Sequence, residues 1–75
     1  MTQELYNMLK STAQAEKDKA LLSLELLGNN AVGIGDHSTE DFYKNAEEAL
    51  VMLVDADDKL ATLEKYFNSK MQVNG

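Results

Sequence analysis

The sequence predicts an all-α fold: an antiparallel two-helix hairpin with a coiled-coil-like seam, assembling into a helical bundle. Three observations predict it. None of the 75 residues is proline, so no ring interrupts a long helix. Three of the four glycines, Gly28, Gly33 and Gly35, fall within eight residues and mark one break. From Phe42 to Phe67 apolar residues recur at alternating steps of four and three, the period of one helix packed on another. A single domain therefore spans 1–75, with a helix over about 3–27, a loop over 28–38, a helix over 39–67 and a tail over 68–75.

The first helix opens at Thr2, whose hydroxyl suits an N-cap, and Glu4 in the first turn complements the helix dipole. Gly28 follows the last leucine and reads as a left-handed C-cap, which would end the helix. Along it, Tyr6, Leu9, Ala13, Glu16, Ala20, Ser23 and Leu27 keep the three-four spacing. Glu16 stands out, because a seam position expects an apolar residue. A buried carboxylate needs a partner, and Lys19 or a lysine of a neighbouring subunit could supply one. Glu16 reads either as a seam-edge residue reaching solvent or as a polar device that fixes register.

The second helix begins near Ser38, which with Asp41 has the spacing of a capping box. His37 precedes the cap and could lie against Phe42. The seam then runs Phe42, Ala46, Ala49, Leu53, Ala56, Leu60, Leu63 and Phe67. Folding the first helix back sets Leu27 near Phe42, Ala20 near Ala49, Glu16 opposite Leu53, Ala13 near Ala56 and Leu9 near Leu60. Alanine faces alanine through the middle, which lets the axes approach at the short end of the usual range of about 8–10 Å. Met71 keeps the apolar spacing and could extend the helix.

Both helices carry more apolar residues than one seam can cover. Leu21, Leu22, Leu24 and Leu26 spread around the first helix, and Tyr43, Leu50 and Val54 form a further stripe on the second. Each Leu or Val fully buried contributes roughly 1.5–3 kcal/mol, and two helices cannot enclose a core alone. These seven residues are the expected interface of a homo-oligomer. A two-fold dimer forming a four-helix bundle is the simplest form.

The long loop admits two readings. Val32 and Ile34, alternating with Gly33 and Gly35, could cap the open end of the bundle. Alternatively, Gly33–Glu40 is a small-ligand or metal site, with His37, Asp36 and Glu40 as candidate ligands. The loop lacks a third glycine and a Gly-Lys-Ser/Thr ending, so neither nucleotide fingerprint is met. Asp55-Ala56-Asp57-Asp58 lacks the glycine and closing glutamate of a calcium loop and reads as a solvated helix face, with Asp55 spaced to pair with Lys59. His37 has no nucleophile beyond Ser38. No enzyme activity, catalytic residue or cofactor is expected.

Charge limits the partners. Thirteen acids stand against seven lysines, for a net charge of −6, and there is no arginine. Double-stranded nucleic acid is an unfavourable partner, since binding it takes many cations. Nine acids and three lysines lie between Asp36 and Lys65, so the charge concentrates on the second helix and its approach. That face serves solubility or docks on a basic site, as a nucleic-acid mimic would. No apolar run is long enough to span a membrane, and no secretory signal stands at the start, so the cytoplasm is the expected setting.

The segments Val32-Gly33-Ile34-Gly35-Asp36-His37-Ser38, Glu48-Ala49-Leu50 and Leu53-Val54-Asp55-Ala56-Asp57-Asp58-Lys59-Leu60 resemble small uncharacterised proteins of tailed phages and marine environmental sequences. The likeness runs from about Lys19 to Lys65. It carries no assigned activity. It implies expression in an infected bacterial cell, where binding a host protein as adaptor or inhibitor is the alternative to self-assembly.

Overall fold

A computed structural model describes residues 1–29 and 39–68, Thr39 and Asn68 through their backbone only. Helix α1 spans Gln3–Asn29 and helix α2 spans Thr39–Leu63. They pack along their lengths in opposite directions, because the start of α1 meets the end of α2 and the reverse. Leu9 shares a groove with Thr62 and Leu63, while Leu27 shares one with Asn45 and Ala49. Glu64–Asn68 continues the rod as a π-helical segment.

Helix α1 starts as its first residues dictate. The Leu5 N–H donates to Thr2 Oγ1 at 3.1 Å, and the Tyr6 N–H donates to the Thr2 carbonyl at 3.0 Å. One capping residue thus satisfies an orphan donor while its backbone begins the helical ladder. One turn on, Lys10 Nζ lies 5.9 Å from the centre of the Tyr6 ring, a pairing that the four-residue spacing permits.

The end of α1 differs from the sequence expectation. Gly28 does not turn into the left-handed region; the helix runs through it to Asn29, with no positive φ at any described glycine. The physical reason is that glycine permits the left-handed cap without requiring it. A Cβ on Gly28 would meet nothing within 4 Å. Gly28→Ala is therefore expected to stabilise the protein by about 0.5–1 kcal/mol, read as a rise in melting temperature, because alanine loses less backbone entropy in a helix.

The seam is filled as its spacing predicts. Tyr6, Ala13 and Ala20 of α1 and Ala49, Ala56 and Leu63 of α2 are the buried apolar residues. Every other seam position, from Leu9 to Leu27 and from Phe42 to Phe67, is half-buried. The middle of the seam is small on both sides, with Ala20 and Ala56 at 0% exposure. That is the close, alanine-lined approach expected of ridges meeting at small residues.

The far end of α2 departs from a plain helix. The steps of three and four continue to Phe67, yet Glu64–Asn68 adopts the wider π turn. Nothing in those residue types calls for it. The Ser38 cap, the placement of His37 against Phe42, the glycine-rich loop and the Met71 extension all lie outside the described residues.

The molecule is a rod, 56 × 15 × 13 Å along its principal axes, with a radius of gyration of 16.7 Å. A compact domain of this length would have about 11 Å. Its accessible surface is 5707 Å², whereas a compact monomer of 8.3 kDa exposes about 4,600 Å².

Candidate interaction surface

Two cross-helix ion pairs mark the two flanks of the hairpin. Lys17 Nζ lies 3.2 Å from Asp57 Oδ1 on one flank. Lys59 Nζ lies 3.2 Å from Glu16 Oε1 on the other. The Glu16 side chain keeps 39% of its exposure, so it stands at the seam edge with its carboxylate in reach of water. Its partner is Lys59 rather than Lys19, and Lys59 crosses to α1 rather than pairing along its own helix with Asp55. Lys59 also stands more than a turn beyond Leu53, the residue expected opposite Glu16. The cause is the lean of helical side chains toward their own N-terminus. In an antiparallel pair the two leans oppose, so touching tips come from residues well past the level pairing. Such exposed pairs contribute about 0–1 kcal/mol each. Glu16→Leu is accordingly expected to cost nothing and to gain up to about 1 kcal/mol in thermal unfolding, since it adds apolar area to the seam.

The helical period then assigns the surplus apolar residues to flanks. Leu21 and Leu24 follow Lys17 by four and seven residues, so they share its flank. On α2, Val54, Leu50 and Tyr43 precede Asp57 by three, seven and fourteen, so they lie on the same side. Leu21, Tyr43, Leu50 and Val54 are 46%, 58%, 53% and 50% exposed. Leu24 is half-buried, because it stands closer to the seam. The Tyr43 ring meets Phe42 edge-on at 5.8 Å, which holds it at the end of this patch. The patch occupies the half of the flank toward the α1–α2 connection, and the same spacing places one exposed acid, Glu47, among Tyr43, Leu50 and Val54. Beyond the Lys17–Asp57 pair the flank turns polar, with Gln14 and Lys10.

The other flank is mixed. Leu26 lines a shallow groove with Ser23, Asn45, Glu48 and Met52, which interleaves polar groups with its apolar side chains. Leu22 and Val51 face away from the seam and are 57% and 61% exposed. Toward the open end, Met1, Leu5 and Met8 are exposed as well. Of the seven residues expected at an interface, five lie on the Lys17 flank, and Leu22 and Leu26 do not. The flanking ion pairs went unread in the sequence, although Lys17 and Asp57 both sit one step off the seam, where opposite charges on facing helices meet.

Among the described residues no group of three His, Asp or Glu side chains could hold a metal ion. Glu40 is exposed, and Asp36 and His37 lie outside the described residues, as does most of the Gly33–Glu40 loop. No helix among the described residues is long and apolar enough to cross a membrane. Compared with family models, with curated proteins and with solved structures, the chain matches none.

Proposed function

We propose that this chain is a non-enzymatic, self-assembling helical hairpin whose working form is a homo-oligomer, a dimeric four-helix bundle being the simplest. The observation that carries the reading is the surplus of surface. The hairpin exposes roughly 1,100 Å² more than a compact monomer of its mass, and an ordinary interface removes about 800 Å² per partner. The surplus is apolar at many points: among the described residues eleven large apolar side chains are between 44% and 61% exposed. A second copy is the partner always present, and a bundle of four helices is the smallest arrangement that gives these helices a shared core. Sedimentation at micromolar concentration tests this. A mass at a multiple of 8.3 kDa is expected, and a folded monomer would sink the proposal.

One observation favours a second reading, an acidic adaptor or inhibitor that docks on a basic host protein. Helix α2 carries seven acids against two lysines, and Glu47, Glu48, Asp55 and Asp58 are all exposed. The resemblance to small phage proteins would set such docking inside an infected bacterial cell. Docking by this charge weakens as salt rises, whereas apolar self-association does not.

A further inference from the structure

Resting on the self-association reading, we infer how the copies meet. The Lys17 flank of one hairpin packs face to face on the same flank of a second copy, with both α1–α2 connections at the same end. Each α1 then lies over the partner's α2.

Two flat hairpins facing each other through one flank have two isologous arrangements. If the two-fold axis runs along the rod, the connections share an end and α1 covers α2 of the partner. If it runs across the rod, the connections lie at opposite ends, and like helices cover like. The apolar patch decides between them. Leu21, Leu24, Tyr43, Leu50 and Val54 occupy only the connection half of the flank. The shared-end arrangement brings patch onto patch. With the rods fully overlapped, the opposite-end arrangement presses the patch onto Gln14 and Lys10, leaving polar groups against leucine, and sliding the rods until the patches match gives up about half of the overlap.

Charge gives the same answer independently. Helix α2 holds seven acids and two lysines, and α1 holds four acids and three lysines. Like over like would set two strongly acidic helices in contact. The shared-end arrangement instead sets the more balanced helix, with Lys10 and Lys17 on this flank, over the acidic one. The other flank fits less well, because three polar residues, Ser23, Asn45 and Glu48, interrupt its apolar groove, against Glu47 alone within this patch.

The chain has no cysteine, so single introduced thiols report unambiguously. In the inferred dimer Leu24, on the seam side of this flank, approaches its own copy across the axis. Leu24→Cys should link efficiently to itself with a short bismaleimide, read as a doubled mass on a denaturing gel. Ser23→Cys, on the opposite flank, should not. Because Leu24→Cys touches the packing, a label at exposed Gln3, at the open end, supplies a second reading. Nitroxides on Gln3→Cys should lie about 20–30 Å apart if the connections share an end. Opposite ends would separate them by roughly 40 Å, the length of α1, or by more if the rods slide to match the patches. Linkage at Ser23 without linkage at Leu24, or the long separation in a sample of dimer mass, overturns the arrangement while leaving self-association intact. A monomer mass for the unaltered chain removes both.

Discussion

Ala56→Leu is expected to destabilise the hairpin by about 1–3 kcal/mol, lowering its melting temperature by roughly 10 °C. Ala56 is fully buried, and Ala13, Ala20 and Ala49 line the same seam at no more than 6% exposure. The helices meet there through methyl groups. An isobutyl group has no space to enter, so it must either adopt a strained rotamer or force the axes apart. Splaying the axes would uncover the half-buried Leu9, Leu53 and Leu60 on either side. The loss is large against the total, since a chain of this size has on the order of 5–10 kcal/mol of stability. Ala15→Leu is the control. Ala15 is exposed on α1, seven residues before Leu22 and so off the Lys17 flank, and its enlargement should change stability by less than about 0.5 kcal/mol. Circular dichroism melts of both variants at one protein concentration decide it. Equal melting temperatures would mean that close approach at the alanines is not what holds the helices together.

The same alanines explain how much of the fold could be read in the sequence. A period of 3.5 residues is a statement about one helix, but two such periods with small residues at matching heights are a statement about their packing. That is why the hairpin and every seam position were legible. The details that escaped depend on energies too small to leave a pattern. Gly28 allows a left-handed cap and a continued helix at nearly equal cost, so residue type alone does not choose. The partner of Glu16 is set by the lean of long side chains, which shifts contacts along an antiparallel pair without altering any spacing. The surplus leucines were visible as a group, but the split between flanks was not. It follows only once Lys17–Asp57 and Glu16–Lys59 show which side of α1 adjoins which side of α2.

That split leads to the second large effect. Leu21→Lys combined with Leu50→Lys is expected to weaken self-association about a thousandfold, enough to give monomer at micromolar concentration. Leu21 and Leu50 are 46% and 53% exposed in the hairpin. Covering the exposed half of a leucine contributes about 1 kcal/mol. A two-fold interface counts each substitution twice, so the pair removes four such contributions, about 4 kcal/mol, and each 1.4 kcal/mol is a factor of ten. A lysine in place of Leu50 can pair with Glu47 of its own helix, but it does so equally in monomer and dimer, so that pairing does not restore association. Leu22→Lys combined with Leu26→Lys makes the same chemical change away from this flank, at side chains 57% and 52% exposed. Its association should remain within about tenfold of the unaltered chain. Sedimentation at a series of concentrations measures all three. The expected order follows from position alone, since hydrophobicity, charge and helix propensity change equally in the two double variants. Equal weakening in both would mean that general apolar stickiness, rather than one face of the hairpin, drives the assembly.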